Sequence, residues 1–403
     1  MKITKTQISH LAMLLFFSVA LNSDWSEQSV LWWGSVLLAL IAAFASHHFQ
    51  IKFHTTPLKV WYAAFLVVCV LSVGFAIDPT ASIETIKTLV VLMVVLFLLD
   101  EEIQTKVQLE DFMRIYMAAT VIMMVYVCLN INLANFQLAQ HGEAEMGRWN
   151  GNDVGMKCAI FLLFALYFLD TDKNFWKWLL LLSTSALSIV LLYYTASRKS
   201  ILIVIAGISM YYYMKHPSKR IRNIIMIALG VYGAYMAMLN VPELYNSIGW
   251  RLEGMMALAT GKGAADGSAL LRLKYIQIGL YAFKKSPIIG YGIDNYRFIN
   301  RAITGHFTYS HNNFVELLVG VGMAGFIVYY FYFAKLMFEF VIFYFKKKTS
   351  LILNITLICF FLIFAMHVAV VSYNDITQYI MILFLSKALT LQKQQMRATE
   401  SRI

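Results

Sequence analysis

The chain has 403 residues, is 60% hydrophobic, and carries a formal net charge of +11 with a mean hydropathy of +0.66. That is too apolar for a soluble domain of this size, and several windows of about 18 residues hold almost no charge, as membrane-spanning helices do. In lipid only helices or closed barrels satisfy the backbone, and the strand alternation of a barrel is missing, so the expected class is an all-α polytopic membrane protein.

Twelve spans are expected, at roughly 8–22, 30–47, 58–77, 81–99, 110–131, 153–170, 176–195, 199–214, 221–240, 313–345, 350–371 and 374–391. The first apolar run is followed by Asn-Ser-Asp rather than a small-residue cleavage site, so it is read as a span and not as a signal peptide. The eighth is short. The tenth is long enough to overshoot the bilayer or to tilt. The cysteines Cys69, Cys128, Cys158 and Cys359 all fall in apolar segments and read as small buried hydrophobes.

The basic residues follow the loops. Lys2 and Lys5, then Lys52 and Lys59, Lys106, Lys173 and Lys177, the cluster K215-H-P-S-K-R-I-R222, Lys346 to Lys348, and finally Lys393, Arg397 and Arg402 share one parity. This predicts cytoplasmic N- and C-termini, and it makes the positive charge an orientation signal with no nucleic-acid partner implied. Two outer segments are more than turns: about 132–152, and a large loop at 241–312 before the tenth span. Within the loop, Ser268–Lys285 has apolar residues at helical spacing with Arg and Lys interleaved, and reads as an amphipathic helix on the membrane surface. Pro287–Tyr296, with Gly290 and Gly292, is turn-rich. The chain is read as one domain, 1–403, with the loop inside it.

Cations close to spans on the outer side are the informative exceptions. Arg198 and Lys199, in Y193-Y-T-A-S-R-K-S200, form a tight outer turn; they either snorkel to headgroups or clamp a diphosphate, whose oxygens match a guanidinium fork. Arg272, beside Lys274, either touches lipid or binds phosphate, and Arg251 is a weaker candidate of the same kind. G147-R-W-N-G-N-D153 sets Arg148, Asn150, Asn152 and Asp153 at a membrane mouth, as a sugar or phosphate contact or as a plain turn and helix cap. Trp149 suits a sugar ring or an interfacial anchor. In T308-Y-S-H-N-N313, His311 can take a proton from a hydroxyl, with Asn312 and Asn313 fixing its tautomer or capping the helix; an interfacial histidine is the alternative. The glycines of V319-G-V-G-M-A-G325 suit close packing in lipid. No metal constellation, P-loop or dinucleotide fingerprint is present in the sequence, so no metal or cofactor is expected.

Several outer arginines plus one histidine suit transfer from a lipid-linked diphosphate: the arginines stabilise the leaving group and the histidine takes the acceptor proton. In order along the chain, G147-R-W-N-G-N-D-V-G155, T195-A-S-R-K199, Arg251, G267-S-A-L-L-R272, A282-F-K-K-S286 leading into I288-I-G-Y-G-I-D-N-Y296, S310-H-N-N313 and G320-V-G-M-A-G325 resemble the bacterial O-antigen ligase/O-antigen polymerase superfamily. The resemblance implies an inverting, metal-independent glycosyltransferase of the GT-C type in the bacterial inner membrane, its active site facing outward. The implied donor is a glycan on undecaprenyl diphosphate, and the acceptor is a lipid-linked glycan or lipid A-core. It further implies that Arg198 and Arg272 bind the diphosphate, that Arg148 helps hold the donor, and that His311 acts as base or orients the acceptor. Lys199, where glycine is common in the ligases, is more similar to the polymerase branch. A transporter or flippase is the competing class; it calls for charged residues within spans and broken helices near the midplane.

Overall fold

The computed structural model describes residues 5–46, 54–130, 149–195, 197–242, 267–346 and 348–400, with a few positions between 243 and 266. The protein is an all-α polytopic membrane protein, and no strand occurs among the described residues. The helices are α1 (Lys5–Leu21), α2 (Ser29–Ser46), α3 (Pro57–Ser72), α4 (Pro79–Glu102), α5 (Lys106–Asn130), α6 (Gly151–Thr171), α7 (Phe175–Tyr194), α8 (Arg198–Lys215), α9 (Arg220–Asn240), α10 (Gly267–Lys285), α11 (Tyr296–Thr304), α12 (Asn313–Phe345), α13 (Leu351–Met366) and α14 (Ile376–Glu400). Each expected span has a helix over it. Seven of the described helices are individually long and apolar enough to cross a membrane, and α1, α2 and α13 are shorter apolar helices. Cys69, Cys158 and Cys359 are buried free thiols, and Cys128 is half-buried.

The chain forms two compact units. One comprises residues 1–50, 105–264 and 350–362; the other comprises 51–104, 265–349 and 363–403. In the first, α1 packs on α2 and α5, and α6 packs on α7 and α8. The helix starts are set by local chemistry. Asn150 caps α6 by accepting from Asn152 N, Asn174 caps α7, and Ser197 caps α8 by accepting from Ser200 N. Lys157, buried one turn into α6, is satisfied by Asp153 at 2.6 Å and by the Leu21 carbonyl at 2.8 Å.

In the second unit α12 packs on α3 and α10, and α14 packs on α4 and α12. Its two polar ends lie at opposite ends of α4. At one, Asn295 accepts from Asp78 N at 2.6 Å and donates to Ser82 Oγ at 2.8 Å, and Ser82 donates to the Ile293 carbonyl at 2.7 Å. At the other, Asp100, 2% exposed, takes Lys387 at 2.9 Å, Lys59 at 3.5 Å and the Thr56 hydroxyl at 2.9 Å; Glu101 also pairs with Lys59. This network ties α3, α4 and α14. Removing one partner of a buried ion pair costs about 3–5 kcal/mol, because the other charge is left stranded, while removing both costs far less. Asp100→Ala is therefore expected to lower the melting midpoint of the purified protein sharply, and Asp100→Leu with Lys387→Leu to recover part of the loss.

α12 is not the one continuous helix that was expected to overshoot the bilayer or to tilt. At Gly322 the backbone adopts φ 64°, ψ −170° and the helix breaks. A continuous helix would bond Met323 N–H to the Val319 carbonyl. Here the turn after α10 intervenes: Tyr291 N donates to Val319 O at 2.8 Å, Met323 N to Pro287 O at 2.8 Å, and Ala324 N to Ile288 O at 3.3 Å. Segment 323–345 is about 34 Å long, enough for a bilayer core, whereas Asn313–Val321 is only about 13 Å long. The approach is so close that a Cβ on Gly290 would lie 2.5 Å from Val319 O, and one on Gly322 2.2 Å from Ile288 O. The glycines read as helix-packing positions therefore admit a strap of backbone.

α10 forms where the periodicity predicts, but Tyr275, Ile278 and Ala282 are buried against Tyr296, Val315 and Val319. Its inward stripe thus packs on protein, with Gly279 under Val315. The sharper division into polar and apolar faces belongs to the short α11, which the sequence reading did not single out.

Candidate functional site

The first short segment of α12 displays the Ser310–Asn313 turn. Asn312 is its N-cap, accepting from Val315 N at 3.0 Å and donating to the Val368 carbonyl at 3.2 Å. Asn313 is fully buried. Its N–H donates to His367 O at 2.8 Å, its side-chain oxygen accepts from Ser372 N and Tyr373 N at 2.9 and 3.0 Å, and its amide nitrogen donates to the Tyr330 hydroxyl at 2.9 Å. Tyr330 in turn meets His367 Nδ1 at 3.0 Å, and His367 Nε2 meets Gln378 Oε1 at 2.5 Å. The two asparagines thus dock the turn on the segment after α13.

His311 sits between Ser310 and Asn312 with φ 56°, in the left-handed region. Among the described residues only Asp294 and His311 do so without being glycine. Such a conformation costs about 1–3 kcal/mol and persists where the surroundings impose it. Ser310 is held by Glu316, whose carboxylate accepts from Ser310 N at 2.9 Å and Oγ at 2.6 Å. The half-buried imidazole lies against the Tyr309 ring, centroids 4.3 Å apart, and nearly parallel to the Tyr275 ring, 6.2 Å away and 14° off. Tyr275 follows Arg272 by three positions on α10, which places both on one side of that helix. Burial raises the pKa of the Tyr309 hydroxyl above the usual phenol range, and the Arg272 charge pulls it the other way. Arg272 and His311, far apart in sequence, are therefore linked through Tyr309, which feels the Arg272 charge and lies against the imidazole.

Three charged neighbours were not among the sequence candidates. Asp294, also left-handed, accepts from the Arg297 guanidinium and from Thr85 Oγ1 at 3.1 Å. Burial works against the Arg297 charge, but Asp294 and, more weakly, Glu316 raise its pKa above the ordinary value. Arg297 Nε and Glu316 Oε1 are buried with no hydrogen-bond partner. The G290-Y-G-I-D294 turn was a usable signal for Asp294. Nothing in the sequence singled out Arg297 within the large loop, and Glu316 could be placed only near the end of a span.

In the first unit, Asn152 and the Arg198 turn come together: Ser197 Oγ donates to Asn152 Oδ1 at 3.0 Å and lies 2.9 Å from Ser200 Oγ. A Cβ on Gly155 would lie 2.6 Å from Ser200 Oγ, so the start of α6 presses on the start of α8. Arg198 opens α8 and Lys199 follows half-buried; the Arg198 side chain lies outside the described atoms. Asp153 turns to Lys157. Trp149 packs edge-on against Tyr126 at 5.8 Å and donates to Asn22 at 3.2 Å. Arg148 and Arg251 lie outside the described residues. Arg272, His311 and Asn312 belong to the second unit, and Asn152, Arg198 and Lys199 to the first.

Residues 183–330 match the model of a protein family described as O-antigen ligase. The match runs from α7 into α12, and so takes in Arg198, Lys199, Arg251, Arg272, His311 and Asn312. No curated protein and no solved structure gives a match.

Proposed function

We propose, on the match of residues 183–330 to the O-antigen ligase family, that the chain transfers a glycan from undecaprenyl diphosphate to an acceptor sugar hydroxyl at the outer face of the bacterial inner membrane, polymerising O-antigen or capsular repeat units. The observation that carries this reading is the strained His311, packed against Tyr275 and Tyr309, with the Arg272 charge acting on Tyr309.

Arg272 holds the diphosphate, bidentate where geometry allows, and stabilises the charge it gains on leaving; the sequence resemblance implies the same role for Arg198. The sequence resemblance implies contacts to the donor and glycan for Arg148, Arg251, Lys199, Asn152 and Asn312 as well. His311 takes the proton of the acceptor hydroxyl as its oxygen bonds to the anomeric carbon. The bond from that carbon to the diphosphate oxygen breaks with its electron pair, and attack from the opposite face inverts the centre. The arginines supply the positive charge, so the step calls for no metal.

The broken helix is also what a transporter would show. Here the strap at Pro287–Tyr291 takes up the Val319 carbonyl and the Met323 and Ala324 amides, which favours a scaffold for an outer site over an ion path. The ligase reading is kept alive by the description of the matched family, and the polymerase reading rests on Lys199 after Arg198. The surface glycan of a deletion strain, run on a gel, separates them. Single repeats on lipid A-core are expected if the chain polymerises. Long polymer stalled on the carrier above bare lipid A-core identifies the ligase, and an unaltered ladder overturns both.

A further inference from the structure

We infer that Glu316 is a positioning residue for His311, acting through Ser310. Glu316 lies in the first turn of α12 and is 1% exposed. A glutamate near a helix start commonly reaches back to the N-cap amide. This one reaches past the N-cap. Its Oε2 accepts from both the amide and the hydroxyl of Ser310, two residues before Asn312. Ser310 Oγ also lies 2.8 Å from the Asn312 carbonyl and accepts from Asn312 N at 3.3 Å. His311 is bracketed by Ser310, which the carboxylate holds, and Asn312, which the Ser310 hydroxyl holds in turn, and its left-handed backbone is the result.

The same stretch of helix governs the ring. Val315, adjacent to Glu316, packs in the cluster that contains Tyr275, and Tyr275 stacks on the imidazole. The backbone of His311 and the ring it lies on are thus both referenced to Val315–Glu316. A carboxylate serving only to satisfy buried donors would have no reason to span the one strained position in the turn. Its second oxygen, Oε1, has no partner, so the clamp on Ser310 is the contact that anchors this buried acid.

The inference rests on the glycan-transfer reading only for its activity measurement, and a second measurement is independent of it. In the full-length protein in detergent, the rate at which diethyl pyrocarbonate modifies His311 is followed by mass spectrometry, the other histidines serving as references. Glu316→Leu is expected to change that rate several-fold while the reference histidines keep theirs, and to lower kcat by roughly tenfold or more with little change in donor KM, since misplacing a reacting group costs rate and not ground-state binding. Glu316→Gln keeps an oxygen acceptor for Ser310 and is expected to restore most of both. Ser310→Ala removes the hydroxyl link, leaves the carboxylate in place, and carries the same test if Glu316→Leu does not fold. Unchanged His311 reactivity in Glu316→Leu or Ser310→Ala overturns the inference, as does a Gln variant no better than Leu. Normal turnover in a His311 variant instead overturns the base assignment and leaves the reactivity result to judge Glu316.

Discussion

His311→Ala is expected to abolish glycan transfer, by about 10²–10⁴-fold, the range that a positioned general base supplies. Alanine alone does not isolate the chemistry, because it must also occupy a left-handed position it disfavours. His311→Gly and His311→Asn resolve this. Glycine removes the strain and asparagine tolerates the conformation better than most residues. Both should therefore insert and melt no worse than wild type, and both should still fail to transfer. Arg272→Ala in the same assay should impair donor binding, and Arg272→Lys should rescue poorly, because the ammonium lacks the planar fork. Normal transfer by His311→Gly would remove the histidine from the mechanism. Full rescue by lysine would argue against bidentate contact with the diphosphate.

The spans were legible because they rest on composition. Apolar runs bounded by caps such as Asp78-Pro79, Asn174 and Ser197 are local features, and the helices begin there. The long-range chemistry was only partly legible. Asn152 could be read as a cap or as a sugar contact, and nothing in G147-R-W-N-G-N-D153 says that it receives the hydroxyl of Ser197. Glu316 could be seen to lie near a helix end, but its tie to Ser310 depends on the turn at His311 folding back, which no periodicity encodes. Nothing in the sequence set Tyr275 and Tyr309 apart from the other aromatics, and two separate segments bring both against one imidazole. Hydropathy records which face of a helix avoids water. It does not record which polar atoms across a fold satisfy one another, and the candidate site consists mainly of the latter.

Gly322 shows the same limit, and it gives the second large effect. V319-G-V-G-M-A-G325 suggested small residues between two helices, whereas Gly322 breaks α12 and admits the Pro287–Tyr291 strap. Its φ and ψ fall in a region that only glycine populates, at a cost of about 1–3 kcal/mol for any other residue. An added Cβ would meet Ile288 O at 2.2 Å and Ile289 N at 2.6 Å, backbone atoms that cannot rotate away. Strain and collision add, so Gly322→Ala is expected to cost about 3 kcal/mol or more. Gly305→Ala shares a positive φ of 79° but has nothing within 4 Å, so it should cost only the strain. Gly34→Ala, in open space within α2, should gain up to about 1 kcal/mol of helix propensity. Melting midpoints of the purified variants should therefore fall in the order Gly34→Ala, wild type, Gly305→Ala, Gly322→Ala. Transfer should fall with stability only in the last. The strap joins α10, which carries Arg272 and Tyr275, to the turn that holds Asp294, and the segment it clasps carries Asn312 and Glu316. A Gly322→Ala protein that melts and transfers like wild type would mean that the strap does not hold the break, and the geometry around His311 would then need another anchor.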